Sequence, residues 1–379
     1  SYDTKDGAWR DVSGIVWRGE DGVAGAIVAL SPLATSPANR GAKAVTGANG
    51  FFGPLSDLGL RFDLTARVEG DVIAVRGLAG RYVQPSIELT MRRLSQAWTK
   101  TIDLQLERPI ADDHALSFFA TGPSAYGVGR AGARRLTLVD REYTSSATIH
   151  VVEHVKGKDL ASATAYGKVE VFASAAAPQI ARVRLEPITG FEETRIDVVA
   201  PPGFTVQPIE LVVAYSRSST ATLTTLEPGV TKRLPVLPNH TSYAHHVLAA
   251  RADGARTESG ETGFDFYSEK TTVTLYPPPA ATGPDAALAP GGSLEASGSG
   301  VLEHVLAPEG GGAQIRIVTT QSATPLPDFT SVGAAVPAGR YVWTVRSYPK
   351  LRFVDELAGV DARRYQPVAI SSPRSLSLH

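Results

Sequence analysis

The stretch from Val12 to Ala66 decides the fold of this chain. It reads VSGIV at 12–16, GVAGAIVAL at 22–30, TGANGFF at 46–52 and FDLTA at 62–66. Each block alternates apolar residues with small or polar ones, which is typical of a short strand with one face turned to a core. Glycine and asparagine separate the blocks where turns need a positive φ. The stretch therefore predicts a small antiparallel β-sandwich.

Strand patterns continue along the rest of the chain. We predict strands at 102–106, 135–139, 148–152, 168–172, 181–186, 195–199, 209–215, 220–226, 243–250, 271–276, 314–320 and 340–346. Long helical periodicity is missing, and a single helical turn is predicted at 354–358, ended by Gly359. The sequence therefore predicts an all-β fold built from tandem β-sandwich domains.

The length of 379 residues exceeds that of one small sandwich and predicts three or four domains. Boundaries are expected where proline and glycine concentrate, most clearly after Pro277. The predicted division is an N-terminal extension at 1–10, β-sandwiches at 11–93, 94–190 and 191–279, a Pro/Gly linker at 280–292 and a C-terminal β-sandwich at 293–379.

Composition limits the function. The chain has 43% hydrophobic and 20% charged residues, enough apolar side chains to bury real cores. Its 37 basic and 38 acidic residues give a net charge of −1, without a basic stripe, which disfavours a nucleic-acid partner. No cysteine is present, so disulfides, thiolate metal sites and cysteine nucleophiles are excluded.

The compartment is predicted from the same features. The absence of cysteine fits the cytosol or a bacterial envelope protein without disulfides. No run approaches the roughly 20 apolar residues of a membrane span, so no transmembrane segment is predicted. The start at Ser1 without methionine predicts either a removed signal or lipoprotein leader, with a lipid anchor upstream of Ser1, or a shortened chain.

Residues 11–90 resemble the carboxypeptidase-regulatory-like domain, a transthyretin-like (prealbumin-like) β-sandwich. The matching elements are Val12-x-Gly14-x-Val16, Gly25-Ala26-x-Val28-x-Leu30, Thr46-x-x-Asn49-Gly50-x-Phe52 and Phe62-x-Leu64-x-Ala66. Gly47 stands where the family often has aspartate, and Gly22-Val23 replaces its usual Gly-x-Pro. The resemblance implies a non-catalytic domain of the kind that accompanies peptidases, outer-membrane receptors and adhesins.

The C-terminal stretch, including 317–320, 325–328, 337–343 and 354–357, is similar to modules of uncharacterised cell-envelope lipoproteins from GC-rich bacteria. This similarity implies a location at the bacterial outer membrane, in the periplasm or outside the cell. The later sandwiches are expected to be transthyretin-like, immunoglobulin-like or fibronectin III-like.

Two sequence motifs suggest chemistry that their flanks do not support. His150-x-x-Glu153-His154 matches the H-x-x-E-H zinc-protease signature, but the flanks favour a strand with two outward polar residues. Along a strand the two histidines would lie roughly 13 Å apart, too far to share one zinc ion. Residues 127–132 match G-x-G-x-x-G, yet a strand follows where a dinucleotide site needs a helix.

Histidines and carboxylates give no convincing metal or catalytic site. His240, His245 and His246 are the best metal candidate by count, but adjacent residues on a strand point to opposite faces. Whether His240 joins one of them at a metal stays open. Adjacent pairs such as Asp112-Asp113 are common on surfaces, and the serine-rich run at 297–300 resembles a linker. We therefore predict no catalytic, cofactor-binding or metal residues and no cofactor.

Aromatic residues are the remaining candidates for binding. Trp17 is expected at an edge of the first sandwich. Tyr341 and Trp343 lie two apart and share one face of a strand, where they would either stack on a ligand such as a sugar ring or belong to the core. The three residues are thus candidates for ligand stacking, with the core as the alternative for the last two.

The sequence favours a non-catalytic, multi-domain β-sandwich protein of the bacterial cell envelope or surface, with a structural, adhesive or binding role. Its expected partner is an envelope or extracellular protein, or a carbohydrate. The alternatives are an accessory or regulatory subunit of a secreted peptidase or uptake system, and a metal-dependent hydrolase.

Overall fold

The structure is a computed structural model of the chain. It describes residues 12–18, 21–33, 41–56, 61–80, 82–83, 98–121, 125–126, 135–140, 146–172, 179–216, 219–239, 242–264, 271–289, 291–357 and 367–379. The four segments predicted as sandwiches are called the first to fourth modules below. The all-β prediction is confirmed, because strands make up most of these residues.

The strands follow the predicted pattern closely. The first module contains β1 Val12–Ile15, β2 Trp17–Arg18, β3 Asp21–Gly22, β4 Ile27–Pro32, β5 Ala42–Val45, β6 Phe51–Leu55, β7 Phe62–Val68, β8 Asp71–Leu78 and β9 Tyr82–Val83. The second contains β10 Trp98–Leu106, β11 His114–Thr121, β12 Ala125–Tyr126, β13 Arg135–Asp140, β14 Ser146–Val155, β15 Ala163–Phe172, β16 Gln179–Val183 and β17 Glu186–Pro187. Every strand predicted from residue 102 onward overlaps an observed one.

The second half of the chain continues in the same way. The third module contains β18 Phe191–Thr194, β19 Ile196–Val199, β20 Thr205–Val206, β21 Ile209–Ser216, β22 Ser219–Leu226, β23 Lys232–Pro235, β24 Ser242–Ala250, β25 Arg256–Phe264 and β26 Thr271–Thr274. The segment predicted as a linker contains β27 Ala280–Gly283 and β28 Ala287–Leu288. The fourth module contains β29 Ser293–Ser297, β30 Val301–Pro308, β31 Ile315–Thr319, β32 Ala323–Pro325, β33 Gly339–Tyr348, β34 Val368–Ile370 and β35 Arg374–Leu378. The predicted helical turn is confirmed as α1, Val354–Leu357, and short 3₁₀ turns lie at Leu160–Ser162 and Thr330–Val332.

Residues quoted for the family resemblance take the predicted local roles. Gly25 and Gly50 have φ values of +75° and +73°, the left-handed region that turns need. A Cβ on Gly50 would lie 2.6 Å from the carbonyl oxygen of Val16, so close approach requires glycine there. Phe52 and Leu64 are buried in one core. These contacts confirm the local sandwich, while membership of the family stays a proposal.

The second module is a sandwich of facing sheets. Within the described residues their strand orders are β12-β13-β10-β16 and β11-β14-β15-β17. Alternate residues of each strand point inward, as the period of two dictates, and form the core between the sheets. Its members include Ile102, Leu104, Leu116, Phe118, Ile149, Val151, Ala181 and Val183.

The first and fourth modules share a sheet rather than forming separate sandwiches. Strand β31 pairs in parallel with β8, from Ile315 opposite Val72 to Val318 opposite Val75. The sheet runs in the order β22-β21-β24-β25-β34-β33-β30-β31-β8-β7-β4-β5, so the third module joins it through β25 and β34. Residues of the first and fourth modules consequently contribute to the same buried clusters on both faces of this sheet.

The segment predicted as a linker at 280–292 contains two short paired strands. Residues 280–283 form β27, which pairs with β29, and β28 pairs with β35. The three prolines at 277–279 lack backbone N–H groups, but the residues after them keep theirs and can join a sheet. Proline content alone therefore does not rule out strands here. The predicted boundaries stay predictions.

Candidate functional site at the junction of the second and third modules

The sheet β11-β14-β15 is buried on both faces. One face covers the core of the second module, and the other packs on the third module. Val152 of β14 and Phe119 of β11 belong to the same cluster as Leu211, Val213 and Leu223 of the third module. The polar residues of the candidate site lie on the face that packs against the third module.

A pocket of about 270 Å³ opens at this junction. We call it the junction pocket; it is lined by Ser117, Phe118, Phe119, His154, Lys158, Asp159, Leu160, Ala221 and Thr222. Strands β11 and β14 supply the first half of this lining. The turn after β14 and strand β22 of the third module supply the rest. Both modules are therefore needed to form it.

Ser117 and His154 form a hydrogen bond in this pocket. The Ser117 Oγ and His154 Nε2 atoms are 2.9 Å apart, and His154 Nδ1 lies 3.1 Å from the carbonyl oxygen of Val155. A carbonyl can only accept, so Nδ1 carries the proton that it donates to Val155. His154 is 5% exposed and Ser117 is half-buried, which fixes the imidazole at the pocket wall.

The two charged residues that line the pocket, Lys158 and Asp159, differ in their hydrogen-bond and ion-pair partners. The Asp159 carboxylate accepts a hydrogen bond from the hydroxyl of Thr224, and Lys232 Nζ lies 4.0 Å from Asp159 Oδ2. Lys158 is exposed and forms no ion pair within the described part of the chain. The positive charge of Lys158 is thus the one left uncompensated in the lining.

An aromatic stack lies beside the pocket on the same face. The His150 ring stacks on Tyr215 at a centroid distance of 4.3 Å, and its Nδ1 atom is 2.7 Å from the hydroxyl oxygen of Tyr166. Burial lowers the pKa of His150 to about 4, and Lys168 adds to this effect. His150 is therefore neutral at pH 7 and forms part of the contact between the modules.

The opposite face of β14 carries a buried carboxylate, Glu153, which pairs with the exposed Arg108. Glu153 is 2% exposed; its Oε2 accepts a hydrogen bond from Arg108 at 2.6 Å, and its Oε1 is 2.9 Å from His114 Nδ1. Glu153 therefore points away from the two histidines of the H-x-x-E-H motif.

The predicted strand for this motif is confirmed, but the prediction of outward polar residues is wrong. His150, Glu153 and His154 are all buried, because both faces of the sheet are covered. Among the residues that the structure describes, no three His, Asp or Glu side chains lie close enough to hold a metal ion. The zinc-protease arrangement is thus not formed by these residues.

The other histidine candidates separate as predicted for neighbours on a strand. His245 of β24 is 2% exposed, whereas His246 is exposed and its Nε2 lies 3.4 Å from Glu258. The hydrogen bond to Glu258 raises the pKa of His246. His240 lies outside the described residues, as does the G-x-G-x-x-G motif at 127–132.

The aromatic candidates do not form a surface platform. Trp343 is 0% exposed and Tyr341 is 2% exposed, so ligand stacking is wrong for both and the core alternative is confirmed. They face the core because β33 lies within the long sheet, with Tyr341 donating a hydrogen bond to the carbonyl of Pro337. Trp17 is half-buried on β2, and its proposed stacking stays a prediction.

Sequence reasoning missed the junction pocket. Ser117, His154 and Thr222 are far apart in sequence, and only the pairing of β11 with β14 and the packing of β22 bring them together. One feature of the sequence pointed to this face of β14. His150, Val152 and His154 recur with a period of two, which places them on the same side of a strand.

The comparisons with known proteins are sparse. The sequence matches no protein-family profile. It is similar to no curated protein. Among solved structures, it is similar to two B repeat units of the collagen binding protein of Staphylococcus aureus, at 10% identity and a TM-score of 0.15 over 97% of this chain and 98% of that one. A tetra-tandem repeat from the extending region of a large adhesion protein covers the same shares at 8% identity and a TM-score of 0.14. Scores this low carry no functional conclusion.

Proposed function

We propose that this chain is a non-catalytic structural and binding component of the bacterial cell envelope or surface. Its partner is an envelope or extracellular protein, or a carbohydrate. The observation that carries the proposal is the continuity of the β-structure, because strand pairs join successive modules and buried clusters cross their boundaries. Such joints hold modules in fixed orientation, which suits a protein that presents binding surfaces.

The resemblance of residues 11–90 to a domain that accompanies receptors and adhesins supports this proposal. The described part of the chain contains no helix long and apolar enough to cross a membrane.

The location can be tested on whole cells. We expect an epitope-tagged chain, produced in the bacterium that encodes it, to be digested by a protease added to intact or outer-membrane-permeabilised cells. A cytosolic marker should stay intact in the same samples. Digestion of the chain only after complete lysis would contradict an envelope or surface location.

The binding role can be tested separately. Co-purification from the native envelope should recover a partner, and a peptidase or uptake complex among the products would favour the accessory-subunit alternative instead. A glycan array with wild type and Trp17→Ala tests the carbohydrate branch. Loss of a glycan signal in Trp17→Ala would support the remaining stacking candidate.

A further inference from the structure

We propose that the junction pocket binds the carboxylate of a glutamate or aspartate side chain presented by a partner protein. This inference rests on the proposed binding role and names its chemistry. It is carried by the charge of the lining, the hydrogen bonds of Ser117 and His154, and the size of the pocket.

The charge of the lining favours an anion. Lys158 lines the pocket, and within the described residues it forms no ion pair. The neighbouring carboxylate of Asp159 is already engaged by the Thr224 hydroxyl and by Lys232. A ligand carboxylate therefore meets one available ammonium group, while the nearest negative charge is compensated from the third module.

The Ser117–His154 pair can supply a hydrogen bond to the same anion. If the imidazole carries protons on both nitrogens, Nδ1 donates to the carbonyl of Val155 and Nε2 donates to Ser117 Oγ. The Ser117 hydroxyl is then free to donate into the pocket. The other charged groups facing this pair are Lys158 and Asp159, with Lys232 beside Asp159.

The size of the pocket and its aromatic content disfavour a sugar. A volume of about 270 Å³ lies at the lower limit of small-molecule sites and suits a single side chain. Phe119 contributes an aromatic ring to the lining, but it is 3% exposed and stacks on Tyr215 at 5.4 Å. No face of that ring is open to a pyranose, whereas an acidic side chain needs none.

The test uses the full chain labelled with ¹⁵N-histidine and two capped amino acids, N-acetyl-glutamate methylamide and N-acetyl-glutamine methylamide. We expect the glutamate compound alone to shift the His154 ring signals in a saturable manner, because His154 lines the pocket. Lys158→Gln should weaken this binding at least about fivefold, since a hydrogen bond to a charged group is lost. Lys156→Gln is the matched control, because Lys156 is exposed on the same turn and does not line the pocket.

Several results would overturn the proposal. Equal shifts with the glutamine compound, equal weakening by both lysine variants, or no saturable shift would each do so. Tighter binding of galacturonate than of the glutamate compound would reject the protein side chain as occupant. Ser117→Ala gives a second test, because removing the hydroxyl should weaken binding of the glutamate compound. The same change leaves the buried Nε2 atom of His154 without its partner, at a cost of about 1–3 kcal/mol, so binding is measured under conditions where the variant is fully folded. The cell-protease test is independent, so a cytosolic chain that still binds glutamate would refute the surface role and leave the pocket assignment standing.

Discussion

At the scale of single residues, burial decides what the histidines can do. His304 on β30 is 0% exposed, and its ring stacks on Trp343 at 5.8 Å. Neither ring nitrogen has a hydrogen-bond partner within the described residues. Burial lowers the pKa of His304 to about 4, so the folded protein holds this residue neutral.

This burial predicts an acid-sensitive stability. His304 has a pKa near 6.5 when unfolded, so between pH 6.5 and 4 the unfolded chain binds a proton that the folded chain does not. The free energy of unfolding should fall across that range, by on the order of 3 kcal/mol for this residue, and should lose nothing more below it. His304→Leu should make this fall shallower and be neutral or stabilising at pH 7, because an unpaired buried polar group costs about 1–3 kcal/mol.

Urea unfolding of wild type and His304→Leu at pH 7, 5.5 and 4.5 checks the prediction. His246→Gln serves as the control, since His246 is exposed and its pKa is shifted upward by Glu258. The His246→Gln variant should still show the fall in the free energy of unfolding between pH 7 and 4.5. A loss of more than about 1 kcal/mol by His304→Leu at pH 7 would contradict the unpaired state of the ring.

At the scale of elements, one turn of the first module is held by hydrogen bonds of the Thr46 hydroxyl and of the backbone. The buried Thr46 hydroxyl accepts a hydrogen bond from the Ala26 N–H at 2.9 Å and donates one to the carbonyl of Val23. The Val16 N–H donates to the carbonyl of Gly50 at 2.9 Å. These hydrogen bonds tie the ends of β1, β4 and β6 together.

Two glycines of this region provide a matched pair. Gly25 and Gly50 have nearly the same φ, but a Cβ on Gly25 would meet nothing within 4 Å. Gly25→Ala should therefore cost only the left-handed backbone penalty, about 1–2 kcal/mol. Gly50→Ala should cost at least about twice as much, because its Cβ also collides with the Val16 carbonyl. Thermal unfolding compares the two, and equal losses would contradict the contact.

At the scale of the whole molecule, a buried charge cluster lies where the first and fourth modules meet. Arg316 of β31 donates a hydrogen bond to Glu303 of β30, and both residues are nearly inaccessible. Tyr348 donates a second hydrogen bond to Glu303, at 2.9 Å. Arg316 also stands opposite Ile73 of β8, so the cluster lies at the strand pair that unites these modules.

Removing one member of this cluster should destabilise the joined modules strongly. Arg316→Met leaves the Glu303 charge buried with fewer partners, and a loss of about 3–5 kcal/mol is expected. The double variant Glu303→Leu/Arg316→Met should recover part of that loss, since the two fully buried charges are removed together. Arg346, which lies 3.6 Å from Glu303, is 27% exposed and keeps access to water. Chemical unfolding followed by tryptophan fluorescence measures both. A double variant less stable than Arg316→Met would contradict this account.

Much of the fold could be predicted because strands carry their own local signal. The alternation in β15 and β33 and the turn glycines of the first module needed no tertiary information. The site was harder to predict. Ser117 and His154 meet only through the pairing of β11 with β14, and the pocket closes only when β22 packs against them. Nothing local in the sequence encodes such contacts.

The sequence by itself determined the all-β class, the positions of the strands and the exclusion of cysteine chemistry, because side-chain alternation and composition are local properties of a chain. Only the tertiary structure decided which strands share a sheet and which faces are covered. Those choices bury Tyr341 and Trp343 and join the first module to the fourth. They also place the H-x-x-E-H histidines against the third module. The physical reason is that sheet pairing and packing depend on contacts between residues far apart in sequence, which no local pattern records.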